Sequence, residues 1–179
     1  SARRKAGRGG DPEMVTLVLT LSLLMPAVYY DITERRIPNR LIAIFILVIP
    51  AVLFLVQGAS VLPSHFAAAG IVFLSVFVFW LLGWLGAGDV KLLALVALIA
   101  GLSLVPELLL NTALWGLVLA VLAIVAKGAF RQTGKRLFAV VRGAPAGEME
   151  QDGSQVKLPY AVAIAAGAVL TVSGVSPLP

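Results

Sequence analysis

Charged residues punctuate this chain, and the apolar stretches between them carry the first structural information. No Asp, Glu, Lys or Arg falls in 14–30, 41–88, 92–106, 108–126 or 158–179. About 20 consecutive apolar residues suffice for a helix to cross the hydrocarbon core of a bilayer. The stretch 41–88 holds two such runs, divided at Gln57-Gly-Ala-Ser-Val-Leu-Pro-Ser-His65, a segment rich in turn formers. The pattern predicts six spans, over about 14–30, 40–56, 66–84, 89–104, 107–126 and 158–175. Each is apolar on nearly every face, so helix follows from the rule that backbone in lipid must satisfy its own hydrogen bonds. The fourth span is short and is expected to begin inside the protein, because Gly86-Ala87-Gly88-Asp89 interrupts helical periodicity. Small residues such as Ala67, Ala68, Ala69, Gly70 and Gly167 suit close helix packing in lipid.

Composition makes the same case. Of 179 residues 60% are apolar and 13% charged, against roughly 45–50% and about 25% in soluble domains. The fold class is therefore all-α, a polytopic membrane protein of about six transmembrane helices. A soluble domain and a disordered chain are both excluded. No cysteine is present, which removes disulfides, thiolate nucleophiles, Cys-type zinc sites and iron–sulfur clusters together. The net charge of +5 would suit nucleic acid in a soluble protein, but basic loops of a membrane protein report topology first. No nucleic-acid partner, metal or cofactor is expected, and no phosphate-cradling Gly-Lys-Ser/Thr loop occurs.

Basic residues also orient the chain. With the N-terminus outside, one face collects Arg35, Arg36, Arg40, Lys91, Lys127, Arg131, Lys135, Arg136, Arg142 and Lys157, and the other only Arg3, Arg4, Lys5 and Arg8. The loops 31–40, 85–91 and 127–157 are thus expected to be cytoplasmic. The chain opens Ser-Ala-Arg-Arg-Lys, and Met14 is expected to be the natural start, with 1–13 an extension that is not wholly native. Residues 14–179 are then one membrane-embedded domain. A signal peptide is the lesser reading of the basic start, since Leu24-Met-Pro-Ala-Val-Tyr-Tyr30 offers no small-x-small cleavage site.

This topology places two acids at one face. Asp31 follows the first span, in Tyr30-Asp31-Ile-Thr-Glu-Arg-Arg-Ile-Pro-Asn39, and Asp89 opens the fourth. An acid near bilayer depth costs several kcal/mol and normally faces a cavity or a partner. Each has a structural reading: Asp89 as a helix N-cap, Asp31 as part of a helix-start box with Glu34 or as a partner of Arg35 or Arg36. The functional reading is a carboxylate dyad sharing one proton. Its ionised member takes a proton from water while the protonated member polarises a peptide carbonyl. Gly86 and Gly88 would give the backbone at Asp89 conformations closed to other residues, and would admit a substrate strand.

Asp31 with Arg36-Ile37-Pro38-Asn39, then Gly86-Ala87-Gly88-Asp89-Val90-Lys91-Leu92, then Leu158-Pro159-Tyr160-Ala161-Val162-Ala163, resemble the type IV prepilin peptidases. The resemblance runs from about Leu17 to Gly174 and implies that Asp31 and Asp89 are the catalytic pair. It implies a leader peptidase of the bacterial inner membrane, acting at the cytoplasmic face. Its substrates would be prepilins with a basic leader and a hydrophobic helix, cut after the leader's final glycine. Larger members insert a methyltransferase region with a cysteine zinc site between the first two spans. Here about ten residues separate those spans and no cysteine exists. The expectation is a peptidase without N-methyltransferase activity, similar to the short form associated with tight-adherence (Flp-type) pili.

Other residues carry two readings each. Lys91 either steadies the dyad or binds substrate, or else snorkels to the interface. Pro38 and Asn39 start the second helix, and Pro159 and Tyr160 the last, with the resemblance placing all four near the site. His65, the single histidine, lies in the outer break, where no catalytic or ligand role is expected. Trp80 and Trp84 read as interfacial anchors. The basic loop 127–157 reads as an amphipathic helix on anionic lipid or as a substrate surface, with Glu148, Glu150 and Asp152 better suited to a basic leader. Two classes compete with the peptidase: a noncatalytic component of pilus export machinery, and a small transporter, whose acids should lie in mid-span.

Overall fold

A computed structural model describes residues 12–83, 85–126 and 160–174. Most of the N-terminal extension, Trp84, Pro159 and the loop 127–157 lie outside the described residues. Among the described residues there are six α-helices: α1 (Pro12–Glu34), α2 (Asn39–Gln57), α3 (Leu62–Leu81), α4 (Ala87–Ala100), α5 (Val105–Ala126) and α6 (Tyr160–Val172). Single 3-10 turns at Ala59–Val61 and Leu102–Leu104 lead into α3 and α5. No strand occurs among the described residues. The protein is an all-α polytopic membrane protein. Four segments, Glu13–Glu34, Asn39–Gln57, Ala59–Leu81 and Leu102–Leu122, are long and apolar enough to cross a bilayer. The 14 residues of α4 rise about 21 Å at 1.5 Å per residue, short of the ~30 Å hydrocarbon core.

The helices start and stop where local chemistry dictates. Gly58, at φ 89°, ends α2 in a conformation that L side chains rarely adopt. The break is shorter than the sequence pattern predicts, because Pro63 sits comfortably in the first turn of α3 instead of preceding it. His65 therefore belongs to a helix and not to the break. It is buried, and its ring Nδ1–H donates to the Leu98 carbonyl across 2.8 Å. That carbonyl is among the last of α4, which have no partner within their own helix. Gly101, at φ 80°, completes the end of α4; a Cβ there would stand 3.1 Å from the His65 ring.

The centre of the protein is α4. Val90, Leu92, Leu93 and every residue from Leu95 to Ala100 are buried, and the helix packs against α1, α2, α3 and α6. The outer helices keep large apolar side chains exposed, among them Leu47, Leu55, Leu74 and Leu117, as a lipid-facing surface requires. α5 and α6 approach each other closely. A Cβ on Gly167 would lie 2.6 Å from the Thr112 backbone nitrogen, so only glycine permits this approach. Beside it, the Asn111 side-chain amide donates to Thr171 Oγ1 at 2.9 Å, and that hydroxyl donates to the Gly167 carbonyl at 2.9 Å.

Candidate active site

Asp31 lies within α1 and not after it. Nothing breaks the helix at Tyr30, and it runs on through Asp31 and Thr33, whose hydroxyl donates to the Tyr29 carbonyl at 2.7 Å. Asp31 thus sits in a last turn, which rules out the helix-start box. Its carboxyl turns to neither Arg35 nor Arg36: Oδ2 accepts the backbone N–H of Ala161, at the start of α6, at 3.1 Å. The chain then reverses sharply. Arg35 adopts φ 53°, the left-handed conformation that ends many helices but usually belongs to glycine. Pro38 follows in extended conformation as the cap of α2, its carbonyl accepting the amides of Leu41 and Ile42 at 3.0 and 3.4 Å.

Asp89 is the third residue of α4, whose cap is Gly86. It is not itself the cap; its carboxylate folds back to a backbone hydrogen bond with Gly86, as acidic side chains at this helix position do. The glycines act differently from the expectation. Gly86 has φ −74° and ψ 145°, open to any residue, and its value is steric. A Cβ on Gly86 would stand 2.9 Å from Asp89 Oδ2. Gly88 likewise makes room for Ile37, whose Cβ would lie 3.2 Å from a Cβ on Gly88. The turn after α1 is thereby seated on the first turn of α4.

Asp89 lies outside the four segments long enough to cross the bilayer. Burial, and after it the negative charge of Asp31, push its pKa from 3.8 to about 6; the bond to Gly86 works the other way. The acids at the end of α1 and the start of α4 are therefore within electrostatic reach of one another. Lys91 turns toward α2, with Nζ donating to Asn39 Oδ1 at 3.1 Å. Tyr160 opens α6 and is half-buried. The site thus gathers Asp31, Gly86, Gly88, Asp89, Pro38, Asn39, Lys91 and Tyr160 at one end of the bundle. Ile37 and the Ala161 amide join them; both fall inside the motifs that carry the resemblance, but the sequence assigns neither a role, one being a single aliphatic residue and the other a backbone group. Among the described residues, no three His, Cys, Asp or Glu side chains gather as metal ligands.

Two carboxyls from separate helices lie at the same end of a membrane-embedded helical bundle, near enough for the charge of one to raise the pKa of the other. Residues 18–121 match the model of the type IV leader peptidase family. The match covers more than half of the chain, which belongs to that family. It takes in both aspartates, Pro38, Asn39, Gly86, Gly88 and Lys91, and ends before α6. No curated protein and no solved structure matches the chain.

Proposed function

We propose that this leader peptidase is an aspartic endopeptidase that uses Asp31 and Asp89 to activate water. The observation that carries the reading is the approach of the two acids at one end of the bundle: burial first, and after it the charge of Asp31, raise the pKa of Asp89 to about 6. Asp89 holds the shared proton at the outset and donates a hydrogen bond to the scissile carbonyl oxygen. Asp31 takes a proton from water as its oxygen attacks the carbonyl carbon, while Asp89 passes its proton to the carbonyl oxygen, giving a tetrahedral diol. Collapse breaks the C–N bond: the proton gained by Asp31 passes to the leaving amine, and one diol proton returns to Asp89. The negative charge formed on the carbonyl oxygen is largest in the transition state, so the Asp89 proton is best spent there.

The substrate is a prepilin, a basic leader joined to a hydrophobic helix, cut at the cytoplasmic face of the bacterial inner membrane. The excess of basic residues in the loops on that side supports the orientation. Four residues, 35–38, link α1 to α2, and the chain has no cysteine. Both support a short, Flp-type peptidase without methyltransferase activity. One observation favours a second reading, a noncatalytic assembly component: each acid also serves a helix N-terminus, Asp31 at Ala161 and Asp89 at Gly86.

Purified protein in detergent, incubated with a prepilin and a chelator, separates the two. The peptidase cleaves, and Asp31→Asn and Asp89→Asn each abolish cleavage while keeping an acceptor for the helix amide. Full cleavage by either variant removes the dyad. Orientation is read by placing single cysteines in this cysteine-free chain and labelling intact cells with a membrane-impermeant maleimide. A cysteine in 35–38 should stay unlabelled until the membrane is opened.

A further inference from the structure

The first turn of α6 has four backbone N–H groups with no partner inside the helix. A helix usually meets part of that need with Ser, Thr, Asp or Asn just before it. The residues preceding Tyr160 are Val156-Lys157-Leu158-Pro159, and none has such a side chain. The bond that the structure does supply comes from 130 residues away: the Ala161 N–H donates to Asp31 Oδ2 at 3.1 Å. Ala161 is fully buried, whereas Asp31 has exposed neighbours in Ile32 and Thr33. This amide is the one hydrogen-bond partner the described residues give the Asp31 side chain.

The amide is also held in place. Six residues further along α6, about 9 Å at 1.5 Å per residue, Gly167 lies directly on the α5 backbone at Thr112. Asn111 and Thr171 tie the same helices together. The rotation and height of α6 are therefore set by contacts that do not involve Asp31, and its first turn presents the Ala161 N–H at a fixed point. A carboxyl on the last turn of α1 would otherwise turn freely about its two side-chain bonds.

We infer that the Ala161 backbone N–H is a positioning group of the active site, fixing the Asp31 carboxyl so that it faces water in one orientation. The inference rests on the proposal that Asp31 is catalytic. It makes α6, which lies beyond the family match, a working part of the site through its backbone and without any side chain.

Proline tests this cleanly, because it deletes the N–H yet fits the first turn of a helix. Ala161→Pro removes the bond to Asp31. Val162→Pro imposes the same ring one residue later and leaves the Ala161 amide in place. The expected result for Ala161→Pro is a fall in kcat of about tenfold or more with KM within about twofold, as for a displaced catalytic group. Val162→Pro should stay within about threefold of the parent on both. Parental kcat in Ala161→Pro, or equal kcat losses in the two variants, overturns the inference. Should Ala161→Pro fail to insert, thermal unfolding of Asp31→Asn and Asp31→Ala decides instead. Asn still accepts the amide hydrogen, so Asp31→Ala should melt lower; equal melting temperatures overturn the contact. Normal cleavage by Asp31→Asn would instead defeat the catalytic reading of Asp31, a separate outcome from loss of the Ala161 bond.

Discussion

Asp89 Oδ2 occupies the space that a side chain on Gly86 would need, 2.9 Å from the position of its Cβ. Gly86→Ala should push the carboxylate aside and leave the helix intact, because the clash is with the movable end of a side chain and not with backbone. Cleavage by Gly86→Ala should therefore fall about tenfold or more, since small misplacements of a reacting group are costly. Its melting temperature should change by less than about 2 °C. A large drop in melting temperature with matching loss of activity would show that Gly86 supports the fold and not the acid.

The pH dependence follows from Asp89. Its pKa in the folded protein is raised to about 6 from 3.8. Folding is thus favoured by the proton on Asp89, fully so below pH 3.8, and this contribution is lost as pH climbs through 6. Between about pH 4 and 6 the parent should lose thermal stability relative to Asp89→Asn, which has no such proton to lose. Cleavage should likewise decline above a midpoint near pH 6. Identical stability profiles for parent and Asp89→Asn would contradict the assignment.

Lys91 reaches Asn39 Oδ1 at 3.1 Å, so its effect on the site is expected to pass through the start of α2. Lys91→Met and Asn39→Ala should each lower kcat/KM several-fold, and the double variant should be no worse than either single one. Such non-additivity is the signature of two groups that act as one. Losses that multiply in the double variant would instead place the ammonium on substrate or on a carboxylate.

Arg35, at φ 53°, is held in a backbone conformation that costs a non-glycine residue about 1–2 kcal/mol. Arg35→Gly should fold at least as stably as the parent, within about 0.5 kcal/mol, as relief of strain offsets the greater freedom of glycine in the unfolded chain. Arg35→Val, β-branched, should lose a further ~1 kcal/mol or more. Thermal unfolding in detergent measures both. Equal stability of the Gly and Val variants would mean that the turn adjusts without needing this conformation.

The scarcity of charge made the helical architecture legible: the apolar stretches hold the helices, the long one divides into α2 and α3 at Gly58, and the fourth and last helices, of 14 and 13 residues, are shorter than the spans expected there. Helix ends were less legible. Asp31 gave no reason to stop α1 at Tyr30, so the helix continued to Glu34, and Pro63 proved to be a helix starter. The two acids and their glycines stood out because a charge is conspicuous among apolar residues. The reason for the glycines did not, since Asp89 Oδ2 and Ile37 crowd them only after the chain folds. The Ala161 amide was invisible for a simpler reason: every residue except proline has one.

α4 has almost no side turned to lipid, being enclosed by α1, α2, α3 and α6. A rod gripped all round cannot tilt or slide without disturbing everything that touches it. If the two acids act together, Asp89 is the half anchored by the enclosed helix, and Asp31, carried on the last turn of α1, is the half whose alignment the Ala161 amide has to supply.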